Sequence, residues 1–217
     1  MALVKYRALG MPRPKDQARR RRELVAATSD VIARKGLGAV RLRDVAEAAG
    51  MTSGNVLYYY EGLDELFFAA YERAVARFCV EREAAVEKER TPTARLATSL
   101  RLGVPRGPQD TEIRLLYEFE AVAFRSQECA DLMAAYVDRQ VDMYERILEQ
   151  GTEAGAFTLA GGPRPLARNV VALEDGHGVY VLTGHVAPRE LEQLLLAHAA
   201  AITGLPVRAF GRPRLPR

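Results

Sequence analysis

The chain has 217 residues, of which 48% are hydrophobic and 27% are charged, and its formal net charge is +3. This length allows one large domain or two small ones, and no apolar run reaches the roughly 18 residues that a membrane span needs. The start of the chain lacks an apolar signal segment, so we expect a cytoplasmic protein. Cys79 and Cys129 give neither a disulfide framework nor a zinc-binding spacing, and we expect no metal and no cofactor.

The positive charge is concentrated at the start of the chain. Residues 1–22 hold eight basic residues and one acid, Asp16, which gives +7, so the remaining residues sum to −4. A basic end on a mildly acidic body favours a polyanionic partner for that end. We expect a flexible basic arm over residues 1–15, in which Arg13 and Lys15 can enter a DNA minor groove. A solvated, nonspecific tail is the alternative.

Beyond the arm, apolar residues recur at steps of three and four, the period of α-helices, and no segment alternates as a strand does. Prolines and glycines punctuate this pattern. It predicts an all-α fold with helices near 16–35, 42–49, 53–60, 63–89, 92–102, 110–126, 128–154, 163–183 and 188–203. The Pro- and Arg-rich tail, residues 204–217, is expected to be loose.

Residues 41–60 carry the most informative pattern. Gly50 fits the corner between two helices because glycine adopts positive φ without steric cost, and Thr52 fits the N-cap of the second helix. Ala46 is small enough for the two helices to cross closely. The positions that such a corner buries are Val45, Ala49, Met51, Val56 and Tyr59. The pattern predicts a helix-turn-helix, and an ordinary helical corner is the alternative.

The helix from Ser53 to Tyr60 is then expected to lie in the major groove. Its outward face offers Gly54 for close backbone approach, Asn55 for adenine and Tyr58 for phosphate. Tyr60, like Tyr59, is expected to pack on neighbouring helices. The candidate DNA-binding residues are Arg19, Arg22, Arg41, Arg43, Thr52, Ser53, Gly54, Asn55, Tyr58 and Tyr59.

The same region contains a helix followed by Gly36-Leu37, then Leu42-Arg43-Asp44-Val45-Ala46-Glu47-Ala48-Ala49-Gly50, a polar cap, an aromatic-rich helix and an acidic turn leading into Leu66. In these features residues 17–71 resemble the DNA-binding domain of the tetracycline-repressor (TetR) family. The resemblance implies a homodimeric, all-helical bacterial regulator, usually a repressor that leaves DNA when a small molecule binds its C-terminal domain. Leu57 and Leu63 depart from the family, since many members have a phosphate-contacting tyrosine and lysine there.

A ligand site is expected in the C-terminal region. Three of the predicted helices carry aromatic side chains and a few polar groups on shared faces, which suits a pocket for an apolar or aromatic effector. The candidate ligand-binding residues are Tyr117, Glu120, Phe124, Met133, Tyr136, Gln140, Tyr144, His177 and Tyr180. Burial in a plain core is the alternative for each aromatic residue.

A homodimer interface is expected through the helices near 163–183 and 188–203, each paired with its symmetry mate. Gly176 and Gly178 lie inside the first of these helices, where each costs about 1 kcal/mol relative to alanine. Such a cost favours close approach of another backbone. The residues expected to line the second helix are Leu191, Leu194, Leu195, His198 and Ala199. The alternative is an intramolecular core.

These patterns divide the chain into the arm, a helix-turn-helix domain over residues 16–62, a ligand-binding and dimerisation domain over 63–203, and the tail. They predict a ligand-responsive DNA-binding regulator, a repressor that a small molecule releases from a palindromic operator. The alternatives are a helical enzyme or an interaction module without sequence-specific DNA binding. The histidines and cysteines match no catalytic motif, so we do not expect an enzyme.

Overall fold

The computed structural model describes residues 14–211, with side chains from Asp16 onward. Residues 1–13, which make up most of the predicted arm, lie outside the described residues. The α-helices are α1 (Pro14–Lys35), α2 (Leu42–Ala48), α3 (Ser53–Tyr59), α4 (Leu63–Glu87), α5 (Pro92–Gly103), α6 (Thr111–Glu118), α7 (Glu120–Ala123), α8 (Gln127–Glu153), α9 (Pro163–Leu182) and α10 (Pro188–Thr203). Leu37–Ala39 and Val207–Phe210 form short 3₁₀ helices. No strand occurs within residues 14–211, and the all-α prediction is confirmed.

The chain forms two compact units, one up to Ala74 and one from Val75 onward. In the first unit, α1, α2, α3 and the start of α4 contribute apolar side chains to one small core. The hydrophobic side chains that are at most 2% exposed there are Leu24, Val31, Ile32, Val40, Val45, Val56, Leu66, Ala70 and Tyr71. Thr28 is also buried in this core, and its hydroxyl donates to the Leu24 carbonyl at 2.8 Å. The buried polar group is therefore satisfied within its own helix.

In the second unit, α5, α8, α9 and α10 surround a larger apolar core. Its members include Leu96, Leu100, Val141, Tyr144, Ile147, Leu148, Val170, Val171, Leu191 and Leu195. Each of these helices contributes one apolar stripe at steps of three and four, so one face is buried and the opposite face meets solvent. Within the described residues, no helix is long and apolar enough to cross a bilayer.

The helix predicted over residues 110–126 is two helices. The Phe119 amide donates to the Leu116 carbonyl at 3.3 Å, a tight turn that ends α6, and α7 begins at the next residue. Phe119 itself is 1% exposed, so burial of its ring accompanies the break. Residues after Phe119 therefore do not continue the faces of α6.

The prediction of a loose tail is wrong for residues 204–211. Gly204 ends α10 with φ 72°, and the chain then folds back so that Phe210 is 3% exposed. Arg101 on α5 donates to the Phe210 carbonyl at 2.8 Å and lies 2.7 Å from Glu192. Burial of the phenylalanine ring and the arginine contact hold this segment against the core. Residues 212–217 lie outside the described residues.

Candidate nucleic-acid interface and buried charge cluster

The corner between α2 and α3 has the geometry that the sequence predicts. Gly50 has φ 64°, in the left-handed region where glycine avoids a steric penalty. The Met51 amide donates to the Ala46 carbonyl at 2.8 Å, and the Gly50 amide donates to the Glu47 carbonyl at 3.0 Å. These two hydrogen bonds form a Schellman motif, which satisfies the last carbonyls of α2.

The start of α3 is capped by Thr52. Its hydroxyl oxygen accepts a hydrogen bond from the Asn55 amide at 3.2 Å, which satisfies one of the unpaired donors of the first turn. Val45 and Val56 are fully buried between the two helices, and Ala46 is 3% exposed. The small alanine and the two valines fix how closely the helices approach, as the spacing predicts.

The outward face of α3 contains most of the predicted reading residues. Gly54, Asn55 and Tyr58 are exposed, and Ser53 and Tyr59 are half-buried. A Cβ atom built on Gly54 would find Thr52 Oγ1 at 4.0 Å and nothing nearer, so the space above this residue is open. The helix backbone can therefore be approached closely at Gly54.

The three consecutive tyrosines have different environments. Tyr58 is 54% exposed, and its hydroxyl accepts a hydrogen bond from the Gln17 amide group at 3.2 Å. The Tyr59 ring meets the Tyr58 ring edge-on, with centroids 5.0 Å apart. Tyr60 is 4% exposed and donates to the Arg21 carbonyl at 3.3 Å. Only Tyr58 presents a fully outward side chain.

Arg21 is a structural residue that the sequence did not single out from its basic neighbours. Its guanidinium lies over the Tyr60 ring at 4.2 Å, donates to the Tyr59 carbonyl and forms an ion pair with Glu65 at 3.0 Å. These contacts fix α1 to the end of α3 and the start of α4. In the sequence, Arg21 lies four residues before Val25, a buried apolar residue of α1, so the two share one side of the helix. That spacing does not distinguish an arginine that contacts protein from one that contacts DNA.

The other basic side chains of this unit differ in whether they form ion pairs. Arg19 lies 2.5 Å from Glu23. Arg22 and Arg43 are exposed, and no ion pair among the described residues involves them. The exposed Arg41 precedes α2, and its amide donates to the Asp44 carboxylate at 2.9 Å. Arg22, Arg41 and Arg43 therefore present positive charge to solvent.

Asp44 is held by hydrogen bonds at the start of α2. Lys35 lies 2.8 Å from its carboxylate, and this contact, together with the Arg41 amide, keeps the Asp44 pKa below its ordinary value. The carboxylate thus stays ionised near the helix N-terminus, where it stabilises the helix. It also holds Arg41 at the position from which α2 begins.

The second unit contains a buried arginine that the sequence analysis missed. Arg82 on α4 is 3% exposed and lies 2.6 Å from the Glu174 carboxylate on α9. It also donates to the Ser99 carbonyl at 2.8 Å, to Gln140 Oε1 at 2.8 Å and to the Tyr144 hydroxyl. One side chain thereby connects α4, α5, α8 and α9. The Glu174 carboxylate keeps the Arg82 pKa above its ordinary value, although burial alone would lower it.

The helical periodicity of α4 indicates from the sequence that Arg82 is buried. Val75, Cys79, Arg82 and Val86 follow one another at steps of four, three and four along α4, and all four are buried. A charged residue in a buried stripe is expected to have an internal partner. Sequence alone could not supply that partner, because Glu174 is 92 positions away.

Carboxyl groups outnumber cations around Arg82. Burial and the neighbouring Glu174 and Glu120 carboxyls together raise the pKa of Asp175 to about 7, against the lowering effect of Arg82. Burial likewise raises the pKa of Glu174 and of Glu120. Gln140 Nε2 and Glu174 Oε2 are buried without a hydrogen-bond partner among the described residues. The cluster therefore has unused hydrogen-bonding capacity and a surplus of acidic groups.

Several predicted ligand-binding residues lie at this cluster. Tyr144 is fully buried and donates to Glu174, and the Tyr117 hydroxyl donates to the Asp175 carbonyl at 3.0 Å. The Tyr136 ring packs edge-on against Phe78, with centroids 6.0 Å apart. Gln140 and Glu120 are the polar members described above. Tyr117, Tyr136, Tyr144, Gln140 and Glu120 thus surround the charged groups.

Other predicted ligand-binding residues do not reach the cluster. Phe124 is 89% exposed, because the break at Phe119 turns it away from the face that a continuous helix would give it. Tyr180 is 50% exposed and meets the half-buried His177 ring with centroids 6.1 Å apart. Tyr180 and His177 therefore lie on the outer side of α9, whose inner side carries Glu174. Met133 is half-buried, and no contact of its side chain with the cluster is described.

The sequence predicts that another backbone approaches α9 closely at Gly176 and Gly178, and the structure shows a different arrangement. A Cβ atom on Gly178 would clash with the Tyr117 hydroxyl, so the residue that needs the space belongs to the same chain. A Cβ atom on Gly176 would meet nothing within 4 Å. The explanation by another backbone is thus wrong for Gly178, and Gly176 lies on an open, exposed surface.

The predicted interface residues on α10 separate into two groups. Leu191, Leu195 and Ala199 are at most 1% exposed in the core of their own chain, so their assignment to an interface is wrong. Leu194 is 37% exposed and His198 is half-buried. Steps of four place Leu191, Leu195 and Ala199 in one buried stripe, and Leu194 lies about 100° around the helix from Leu195, at the edge of that stripe.

Comparison with known proteins agrees with these features. A family model for bacterial regulatory proteins of the tetR family matches residues 24–70, and a model for the C-terminal part of BetI-type transcriptional repressors matches residues 92–204. The regulatory protein RaaS of Mycobacterium tuberculosis is 28% identical over 188 residues, which cover 85% of this chain and 82% of that protein. The regulator YfiR of Bacillus subtilis is 23% identical over 160 residues, covering 73% and 78%.

Solved structures share the fold. A transcriptional regulator from Saccharomonospora viridis in complex with choline has a TM-score of 0.77 and 23% identity, over 82% of this chain and 94% of that one. A TetR-family regulator from Rhodococcus has a TM-score of 0.71 and 24% identity, over 86% and 99%.

A capped helix-turn-helix with an outward polar face, followed by a larger helical unit, defines a DNA-binding transcriptional regulator that responds to a ligand. The C-terminal family model alone spans more than half of the chain, and the chain belongs to the tetR family of bacterial regulatory proteins. Members of this family bind DNA operators, dimerise and bind small-molecule effectors.

Proposed function

We propose that this protein is a transcriptional repressor that binds a palindromic operator as a homodimer and is released by a cationic small molecule. Asn55 and Tyr58 read the major groove from α3, and Gly54 allows its backbone to approach. Arg22, Arg41 and Arg43 contact phosphates. The exposure of all six side chains or backbone positions supports these roles. Arg19, Thr52, Ser53 and Tyr59 take supporting positions, since each is occupied by an internal contact or half-buried.

The dimer forms through the outer faces of α9 and α10. Val179, Tyr180 and Leu194 are large hydrophobic side chains with exposures of 40%, 50% and 37%. Gly176 adds a position where a partner helix can approach without meeting a side chain. An exposed apolar face on two neighbouring helices supports an isologous interface, in which the same surface is used by both copies.

The effector binds at the buried cluster around Arg82. The observation that carries this part of the proposal is the charge imbalance of two carboxyl groups, the buried Glu174 and the half-buried Asp175, against one guanidinium, with the exposed Glu120 carboxyl nearby. A buried carboxylate is costly unless a cation or a proton neutralises it. A cationic ligand can replace the proton that Asp175 otherwise retains, and the unpartnered Gln140 and Glu174 atoms can bond its polar groups.

The aromatic lining supports the same ligand class. Arg82 lies 5.4 Å from the centroid of Phe78 and 5.2 Å from that of Tyr144, which are distances of cation–π contacts. Such rings favour a quaternary ammonium group with an apolar body. The structural relative from Saccharomonospora viridis was crystallised with choline, a ligand of this chemistry.

The test measures release from DNA. Wild-type protein selects a duplex from a random-sequence pool, and fluorescence anisotropy then gives its Kd with and without choline or tetramethylammonium. We expect saturating cation to weaken duplex binding about tenfold or more, because tenfold corresponds to about 1.4 kcal/mol of differential affinity. Cation affinity should rise from pH 6 to pH 8, since binding displaces a proton from Asp175, whose pKa is about 7.

Two controls isolate the charge. The neutral isostere 3,3-dimethylbutan-1-ol has the shape of choline without its charge and should leave duplex binding unchanged. Asp175→Asn removes one surplus carboxyl and leaves the Arg82–Glu174 pair in place, so it should weaken cation binding and reduce its pH dependence. Equal effects of choline and the neutral isostere would contradict a cationic effector. Failure of wild-type protein to enrich any duplex would contradict the repressor itself.

A further inference from the structure

The recognition helix α3 presents an apolar side chain within its outward face. Among the described residues up to Ala74, the large hydrophobic side chains that are exposed are Leu57, at 50%, and Tyr58, at 54%. A single exposed leucine is ordinary on a protein surface. Its position on the face proposed to read DNA is what requires an explanation.

The direction of Leu57 follows from helix geometry. Val56 is fully buried, and each residue advances about 100° around an α-helix, so Leu57 lies away from the core beside Gly54 and Tyr58. Helical side chains lean toward the N-terminus, and the leucine side chain therefore covers the surface one turn earlier. That turn contains Gly54, above which the space is open. A short isobutyl group can then reach a surface that approaches the backbone of Gly54.

The chemistry of leucine limits what it can recognise. It has no hydrogen-bond donor or acceptor, so it can bind neither a phosphate nor the polar edge of a base. The 5-methyl group of thymine is the apolar group that the major groove presents. We propose that Leu57 is a specificity-determining residue that contacts a thymine methyl in each half-site of the operator. The inference rests on the proposed role of α3 as the reading helix.

The experiment removes the methyl group alone. A duplex selected by the wild-type protein is resynthesised with deoxyuridine in place of one thymidine at a time, at the symmetric positions of both half-sites. Uracil keeps the pairing and the hydrogen-bonding groups of thymine and lacks only the 5-methyl. Anisotropy titrations at one fixed salt concentration, because phosphate contacts make affinity salt-dependent, give Kd for wild-type protein and for Leu57→Ala.

We expect wild-type protein to lose about fourfold in affinity per methyl removed at one or more thymine positions, which is the factor for one buried CH₂-sized group. Leu57→Ala should bind the unmodified duplex more weakly and should show no further loss at those positions. Leu57→Met, which restores an apolar side chain, should recover the sensitivity to the methyl. Leu102→Ala, at a 42% exposed leucine of the second unit, should behave as wild type.

Three outcomes would overturn the inference: selected half-sites without thymine, methyl removal without effect on wild-type binding, or an unchanged methyl penalty in Leu57→Ala. Thermal unfolding of Leu57→Ala should match wild type because the residue is exposed, which separates a lost contact from a lost fold. Failure to enrich any duplex would instead refute the proposed operator binding on which the inference rests.

Discussion

Arg82 and Asp175 show how one residue sets the chemistry of its neighbours. The buried guanidinium has acceptors on three other helices, α5, α8 and α9, which offsets the free energy of removing its charge from water. The ion pair with Glu174 neutralises the positive charge of Arg82. Asp175 is next in the chain, and little positive charge remains to stabilise its ionised form. Its carboxyl therefore keeps a proton to about neutral pH.

This raised pKa predicts a pH-dependent stability. Between the ordinary pKa of aspartate, 3.8, and the folded value of about 7, the folded state holds a proton that the unfolded state has released. Stability from this group is complete below that window, falls as the pH rises through it and levels off above pH 7. In Asp175→Asn the free energy of unfolding, measured by urea denaturation, should fall less between pH 5 and pH 8 than in wild type.

Glu174 and Glu120 also have raised pKa values, so the pH dependence should shrink in Asp175→Asn without vanishing. Asp30→Asn, which removes a carboxylate at an exposed position of α1, controls for the general loss of a negative charge and should leave the dependence as in wild type. An identical pH dependence in Asp175→Asn and wild type would show that Asp175 ionises normally in the folded protein.

At the scale of elements, α3 depends on its surroundings. A seven-residue helix is too short to be stable alone in water. The Thr52 cap, the buried Val56 and the contacts of Arg21 with Tyr59 and Tyr60 supply what its length does not. Because these contacts involve the inward side and the ends of α3, its exposed side chains can be changed without unfolding the unit, although Tyr58 also accepts a hydrogen bond from Gln17.

This separation allows a direct test of the reading face. The double variant Asn55→Ala/Tyr58→Phe removes one amide and one hydroxyl and should weaken binding of the selected duplex at least tenfold, since each good base contact contributes about 1–3 kcal/mol. The control variant Gln127→Ala removes an amide at an exposed position at the start of α8, outside the reading face and the proposed interface, and should bind as wild type. Anisotropy measures both. Undiminished binding by the first variant would exclude α3 as the reading helix.

At the scale of the whole molecule, the proposed repression requires two copies of the chain. Two recognition helices in successive major grooves, roughly 34–36 Å apart, require a fixed dimer. Leu194→Glu places two carboxylates near the two-fold axis of the proposed interface, because an isologous contact repeats every change. We expect this variant to be monomeric at micromolar concentration by native mass spectrometry, and to bind the selected duplex weakly.

Leu102→Glu is the matched control, since Leu102 is a leucine of similar exposure, 42% against 37%, on a different helix. It should remain dimeric. A dimeric Leu194→Glu would move the interface away from this part of α10, and a monomeric wild-type protein would contradict the paired-groove arrangement.

Local sequence patterns predicted most of the helices and the turns between them. Gly50, Thr52 and the small Ala46 act within a few residues of one another, so the helix-turn-helix follows from sequence spacing and the structure confirms its turn and cap. The starts of α5, α9 and α10 follow from the prolines of their first turns, which need no amide partner there.

The predictions from sequence were wrong where contacts between residues distant in the chain determine the structure. The break at Phe119 follows from burial of one ring, and with it the exposure of Phe124. The ordered segment before residue 212 depends on Arg101 and Glu192, which lie far from Phe210 in sequence. A helical period gives a buried face and does not say whether the covering surface belongs to the same chain.

The sequence by itself determined the helical class, the helix-turn-helix corner and the basic start of the chain, because helix periodicity, caps and turns are set by neighbouring residues. Only the tertiary structure decided which acids face Arg82, why Gly178 has no side chain and which leucines of α10 are internal. These features depend on side chains that are distant in sequence and adjacent in space, and their burial changes both their charge and their packing.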